Sequence, residues 1–157
     1  NILPLNPPTI AQLEQSLVVC YSGISRPAKN ILDAVGNGFA NNDGNVIDGL
    51  QEMSKCARKI RRFLLQGKIE SIGATLNEVW RLHKGLHPAV TNDRIEELMQ
   101  TAQSHGATGG RVCGAGGGGA LLFQCATGHE FAVRQALRDA EARVFDWSID
   151  QYGTIIW

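Results

Sequence analysis

Val112-Cys113-Gly114-Ala115-Gly116-Gly117-Gly118-Gly119-Ala120-Leu121-Leu122-Phe123 is a glycine loop set between two runs of strand-forming residues. Residues without a Cβ reach positive φ easily and let the backbone approach another surface closely. Consecutive N–H groups in such a loop form an anion-binding nest. A two-residue hairpin needs only one or two glycines, so a plain tight turn does not account for Gly116 to Gly119. Glycine costs about 1 kcal/mol per residue relative to Ala in regular structure. The spacing therefore points to close approach, either to a ligand or to a partner loop. No Gly-Lys-Ser/Thr follows, and a strand rather than a helix comes next, which excludes both a Walker loop and a dinucleotide fingerprint.

The loop also explains the composition. The chain has 157 residues and 18 glycines, about 11% against a usual level of about 7%. Eight of them lie between Gly106 and Gly119, and the rest of the chain carries glycine at an ordinary rate. The length suits one domain with a real core. Lys and Arg number 15 against 15 Asp and Glu, which removes the usual electrostatic case for nucleic acid or an acidic membrane surface. No apolar run approaches the roughly 20 residues that span a bilayer. The start, Asn1-Ile2-Leu3-Pro4, has neither a basic segment with an apolar run behind it nor an initiator Met. It reads as a processed or trimmed chain or a fragment, not as a signal peptide. Cys20, Cys56, Cys113 and Cys125 form no CxxC pair and each sits in an apolar stretch, so they read as buried reduced thiols of a cytoplasmic protein.

Outward from the loop, the strand candidates are Gly110 to Cys113 and Ala120 to Cys125. Gly128 to Ala140 reads as a helix, Arg143 to Ile149 as an alternating strand, and Tyr152 to Trp157 as a further strand. Upstream, Leu17-Val18-Val19-Cys20-Tyr21 reads as a buried strand, after a short helical turn over Thr9 to Gln15. Ser25-Arg26-Pro27 reads as the start of a helix that runs towards Asn41. Val46, Leu50, Met53, Ala57, Ile60 and Leu64 recur at helical spacing, as do Ile69, Ile72, Leu76, Val79 and His83. With Gly67 between them, these form an antiparallel helical hairpin whose stripes pack into the core. Thr91 or Asn92 caps another helix that stops near Gly106. With the central helices collapsed into one crossover, the order is β-α-β-β-α-β. The fold class is α+β, a ferredoxin-like (split βαβ) antiparallel sheet with helices on one face and an inserted helical hairpin.

Two further groups of residues offer candidate chemistry. Tyr21 to Arg26 places polar groups at a strand end and a helix start, where anions bind well, and Arg26 has the fork geometry for a phosphate or carboxylate. The opposing reading is a plain cap with a solvated Arg. Trp80, His83, Lys84, His87 and Asn92 bring two histidines four residues apart, but Gly85 and Pro88 break the helix face and no carboxylate completes a metal set, so no metal is expected.

The segments Leu17 to Arg26, Leu86 to Ile95 and Gly110 to Gly119 resemble the C-terminal half of kinases of the GHMP superfamily, over about Asn6 to Trp157. Ser25-Arg26 and the terminal Trp157 are similar to the D-glycero-D-manno-heptose-7-phosphate kinase group. The resemblance implies a ferredoxin-like domain with extra helices, and phosphorylation of a sugar or sugar phosphate with ATP and Mg²⁺. It implies that Gly114, Ala115, Gly116, Gly117, Gly118 and Gly119 lie at the nucleotide phosphates. Ser22, Ser25, Arg26 and Asn92 would line the substrate side. The superfamily's Pro-x-x-x-Gly-Leu-Gly-Ser-Ser-Ala phosphate loop has no counterpart here, and neither has the family's acidic residue or Mg²⁺ ligand. The expectation is one domain of an enzyme whose N-terminal ATP-binding domain is absent, inactive alone. The alternatives are a stand-alone binding or assembly module, with a homodimer partner in place of the absent domain, and a regulatory ferredoxin-like domain that binds an amino acid.

Overall fold

The computed structural model describes residues 3–25, 27–150 and 153. Arg26, and the strand expected over Tyr152–Trp157 apart from Gly153, lie outside the described residues. The elements run α1 (Pro7–Ser16), β1 (Leu17–Tyr21), α2 (Lys29–Ala40), α3 (Gly44–Leu65), α4 (Ile72–Leu86), α5 (Asp93–Ser104), β2 (Ala107–Val112), β3 (Ala120–Cys125), α6 (Glu130–Asp139) and β4 (Arg143–Phe145). Short 3-10 turns at Ile69–Ser71 and Pro88–Val90 lead into α4 and towards α5. The sheet order is β2-β3-β1-β4, antiparallel throughout, with Val18 opposite Phe123, Cys20 opposite Leu121, and Val19 opposite Phe145. This is the split βαβ arrangement, with α2 to α4 as the addition to the first crossover.

Local chemistry sets the helix starts. The Asn6 side chain accepts from Thr9 N at 2.8 Å ahead of Pro7 and Pro8, so the expected helical turn becomes a full α1. Asp43 caps α3 by accepting from Asn45 N at 2.9 Å, and Asn92 caps α5 by accepting from Ile95 N at 3.1 Å. The helix start expected at Ser25-Arg26-Pro27 falls later among the described residues: Ser25 and Pro27 are not helical, and α2 begins at Lys29 behind Ala28, with no side-chain cap.

The main core lies between one sheet face and α5 and α6. Val18, Phe123, Leu121, Ile95, Leu98, Val133 and Leu137 are each under 2% exposed there. Fully burying such a side chain contributes about 1.5–3 kcal/mol. The other face is not bare, contrary to the one-sided arrangement expected. Leu17 alternates with Val18 and so points the opposite way. It packs with Leu13 of α1, Ile69, and Ile72 and Leu76 of α4 in a second cluster.

α4 closes the edge of the sheet. Asn77 donates to Thr108 O at 3.0 Å and accepts from Gly110 N at 3.1 Å, so a side-chain amide replaces the missing neighbour of β2. The contact is backbone on backbone: a Cβ at Gly109 would lie 1.9 Å from Gly73 O. Gly109 and Gly110 therefore serve strand packing, and the glycine surplus is not all in the loop. α3 lies outside α4, and of its stripe only Val46 is buried, while Ala57 is exposed. Cys113 is exposed, unlike the other three thiols. Burial pushes Cys20 and Cys125 up to about 12.

β4 ends at Phe145, four residues earlier than its alternation predicts. Arg134 takes Asp146 at 2.9 Å, and the Trp147 indole donates to Leu17 O at 3.3 Å where a backbone N–H would continue the ladder. Ile149 N then donates to Glu14 Oε1 at 2.7 Å, which carries the chain to α1.

Gly109→Ala is expected to destabilise the protein by about 3 kcal/mol, because the backbone of α4 must move to admit the methyl. Gly36→Ala, in α2 with nothing within 4 Å of its Cβ position, is expected to stabilise by about 0.5–1 kcal/mol. Urea denaturation midpoints at constant slope measure both.

Candidate functional site

The glycine loop runs from Cys113 to Gly119 at the end of the β2–β3 hairpin. Gly114, Gly116, Gly117 and Gly119 all have positive φ, between +75° and +94°. Two hydrogen bonds clamp it to the rest of the chain. Gly117 N donates to Val90 O at 2.7 Å, and Gly119 N donates to Ile24 O at 2.8 Å. Side chains are excluded at the clamp: a Cβ at Gly116 would lie 2.6 Å from Val90 O, and one at Gly118 would lie 2.6 Å from Ile24 O. Part of the glycine run thus serves approach to partner loops of the same chain. The N–H groups of Gly114, Ala115, Gly116 and Gly118 donate to no acceptor among the described residues. A loop held rigid with unpaired N–H groups suits an anion.

The polar residues around the loop hold it in place. Asn92 uses both ends of its amide, Oδ1 for the cap of α5 and Nδ2 to donate to Gly117 O at 3.0 Å. Ser22 is 1% exposed; its Oγ and the Ile24 backbone exchange two 3.3 Å bonds, and its N–H donates to Gly119 O at 2.9 Å. Ser25 is exposed, and Arg26 lies outside the described residues. Of the substrate-side group, the structure thus brings Ser22 and Asn92 against the loop.

Arg94 was not singled out from the sequence. Its Nε donates to Ser22 O at 3.3 Å, Nη1 pairs with Glu97 at 2.9 Å, and Nη2 donates to Ala140 O. It joins β1, α5 and α6 beneath the loop. The signal was a cation in the first turn of a helix, where the macrodipole disfavours it unless tertiary contacts compensate.

Beside the loop lies a groove of 450 Å³ between α2, α3 and α4, walled by Ile31, Leu32, Leu50 and Met53. Leu50 and Met53 of the α3 stripe face this groove, while Ile60 and Leu64 pack against the second cluster. At its inner end sit His83 and Arg111, next to Gly114 and Ala115. His83 is 6% exposed, edge-on to Trp80 with ring centroids 5.9 Å apart, and its Nδ1 has no partner. Burial lowers its pKa, the Arg111 guanidinium lowers it further, and a bond to the Ala115 backbone opposes both. Arg111 Nε donates to Val112 O at 3.0 Å, while neither Nη has a partner among the described residues. The site offers four N–H donors and one guanidinium beside an apolar wall.

The remaining residues of the histidine group are used locally. His87 Nδ1 accepts from Ala89 N at 3.1 Å, and Lys84 pairs with Glu96 at 3.0 Å while lying 5.5 Å from the Trp80 ring. Burial pushes the Glu96 carboxyl up, but bonds from Thr91 and Lys84 and the Lys84 charge outweigh it and hold Glu96 below its ordinary value. Among the described residues no three His, Cys, Asp or Glu side chains are placed to hold a metal ion. No helix among them is long and apolar enough to cross a membrane.

The family of GHMP kinases, C terminal, matches residues 60–142. The chain belongs to that family. It is 29% identical over 155 residues to a bifunctional fucokinase/GDP-fucose pyrophosphorylase of Arabidopsis thaliana, covering 95% of this chain and 15% of that protein. It is 26% identical over 147 residues to a D-glycero-alpha-D-manno-heptose 7-phosphate kinase of Campylobacter jejuni, covering 94% of this chain and 43% of that protein. The fold matches the crystal structure of L. major mevalonate kinase in complex with R-mevalonate, with a TM-score of 0.70 and 21% identity over 78% of this chain and 37% of that one. The chain thus spans less than half the length of each.

Gly116→Ala and Gly118→Ala should each destabilise by about 2–3 kcal/mol, because the added methyl meets a carbonyl. Gly114→Ala, which meets nothing within 4 Å, should cost only the positive-φ strain of about 1–2 kcal/mol. Chemical denaturation separates the two outcomes. His83 gives a pH signature: its folded pKa lies below the unfolded value of about 6.5, so the unfolded state binds more protons as pH falls. Its contribution is complete above about pH 6.5 and declines as pH falls towards the folded pKa. His83→Phe should flatten this part of the stability profile, measured from pH 7.5 to 5.

Proposed function

We propose that this chain is the C-terminal, loop-bearing part of an ATP-dependent sugar or sugar-phosphate kinase, with heptose 7-phosphate as substrate. The observation that carries the reading is the clamped glycine loop, with the N–H groups of Gly114, Ala115, Gly116 and Gly118 unpaired among the described residues. The sugar-kinase names of two relatives support the substrate class. Ser25-Arg26 and Trp157 favour the heptose group within it.

Bound ATP, as its Mg²⁺ complex, supplies the phosphoryl group. The loop fits that group, since its free N–H donors stabilise phosphate oxygens on which charge accumulates. Arg111, beside Gly114, adds a fixed positive charge. His83 is kept neutral by burial and by Arg111, so it contributes shape and a hydrogen-bonding nitrogen rather than charge. The apolar walls of the groove border the space beside the loop. The described residues offer no acidic cluster for Mg²⁺. In this reading the metal ligands and the second phosphate loop come from an N-terminal ATP-binding domain. Phosphoryl transfer depends on positioning and charge neutralisation, so one wall of the cleft is inactive by itself.

The 157-residue chain is expected to show no turnover with ATP, Mg²⁺ and heptose 7-phosphate, fucose or mevalonate. Fused behind the N-terminal part of the Campylobacter jejuni relative, it should phosphorylate heptose 7-phosphate in preference to the other two. Ala115→Pro, which deletes one loop N–H, should lower kcat by about 10²-fold or more. A folded fusion that phosphorylates none of the three, or one indifferent to Ala115→Pro, would overturn the reading. Turnover by the chain alone would overturn its inactivity.

A further inference from the structure

At the other end of β3 from the glycine loop, a polar cleft opens between the C-terminal turn of α1, the 3-10 turn at Ile69–Ser71 and the start of α6. It comprises two adjoining cavities of 210 and 260 Å³ that share Glu70, Cys125 and Thr127. Gln12, Gln15, Ser16, Gln124 and Glu130 line the first, and Ala126 belongs to the wall of the second.

Two buried side chains in this lining lack partners. Gln124 is 1% exposed; its Nε2 donates to Cys125 O at 3.3 Å, while Oε1 accepts from no donor among the described residues. Ser16 is 8% exposed and its Oγ is likewise unpaired. Buried polar atoms are nearly always satisfied, and one left without a partner carries its whole desolvation cost. The residues that carry these two atoms, one on α1 and one on β3, both belong to the lining of one cleft.

The charge of the cleft gives the sign of what would satisfy them. Glu70 Oε1 accepts from Thr127 Oγ1 at 3.3 Å, and Glu130 Oε1 accepts from Gly128 N at 3.3 Å. Each keeps a second oxygen with no donor among the described residues. Among the described residues no Lys, Arg or His lines either cavity. An anion would meet two carboxylates here. A bare metal ion would lack ligands, since no trio of metal-binding side chains is present among the described residues. A head group made of N–H donors, with positive charge, answers both the carboxylates and the orphaned Gln124 oxygen.

We propose that this cleft binds a guanidinium group on a short alkyl stem. Guanidinium presents several N–H donors in a flat fork suited to carboxylate and amide oxygens, and it is more weakly hydrated than an ammonium. Glu70 and Glu130 take the charge, Gln124 Oε1 takes an inner N–H, and Ala126 and Cys125 border the stem. The head group arrives either on a free small molecule or on an arginine of another polypeptide. The site is remote from the glycine loop and stands independently of the kinase reading.

The test is an NMR titration of the isotope-labelled 157-residue chain with three probes: agmatine, the peptide acetyl-Gly-Arg-Gly-amide, and neutral n-butylurea. Agmatine, the peptide or both should give saturable shifts at the Gln124 side-chain amide and at the Thr127 and Gly128 backbone, and butylurea should give none. Saturation by agmatine alone identifies a free ligand, and saturation by the peptide alone identifies a chain-borne arginine. Glu70→Gln, at an exposed position whose change leaves the core intact, should weaken binding about tenfold. Gln124→Leu should do the same if it folds. Failure of both cationic probes to saturate, equal shifts from butylurea, or binding indifferent to Glu70→Gln would overturn the proposal.

Discussion

The hydrogen bonds from Gly117 N–H to Val90 O and from Gly119 N–H to Ile24 O hold together three segments that are far apart in the chain. They join the β2–β3 loop to the turn after β1 and to the 3-10 turn before α5. Each bond contributes only about 1 kcal/mol net. Their importance is geometric, because a backbone clamp fixes a glycine loop whose unfolded ensemble is unusually broad. Asn92 adds a third tie, and Arg94 secures the strand end beneath. The N–H groups of Gly114, Ala115, Gly116 and Gly118, which donate to no acceptor among the described residues, are held in place because Gly117 and Gly119 of the same loop are clamped.

A second backbone contact organises the other side of the molecule. Gly73 against Gly109 lets α4 lie on β2 at a distance no side chain permits, and the Asn77 amide completes the strand edge. α4 then occupies the position next to the sheet, and α3 and α2 fall outside it. This layering leaves the α3 stripe half covered and opens the groove beside the loop. The ends of β3 also acquire opposite character. One meets free N–H donors and Arg111, and the other meets Glu70, Glu130 and the unpaired Gln124 oxygen.

Much of this was legible before any coordinates. The ferredoxin-like order, the helical hairpin, the Asn92 cap and the strands on either side of the glycine loop all follow from periodicity and punctuation. Those signals are local, since side chains repeat every second or every third to fourth residue whatever they pack against. The misreadings also share a cause. Pro27 suggested a helix start and Arg143 to Ile149 suggested a long strand. The chain around Ala28 needed no side-chain cap, and Trp147 took the carbonyl that would have extended the ladder.

The sequence by itself determined the succession of elements and the existence of a backbone-specialised loop, because both are encoded in neighbouring residues. It left undecided which glycines of that stretch pack and which remain open. Gly109 meets Gly73, Gly116 meets Val90, Gly118 meets Ile24, and Gly114 meets nothing. Only the tertiary structure decided this, together with the burial of His83 beside Arg111 and the convergence of Ser16 and Gln124. Each is a contact between residues distant in sequence, and no local spacing reports what the other side of a contact will be.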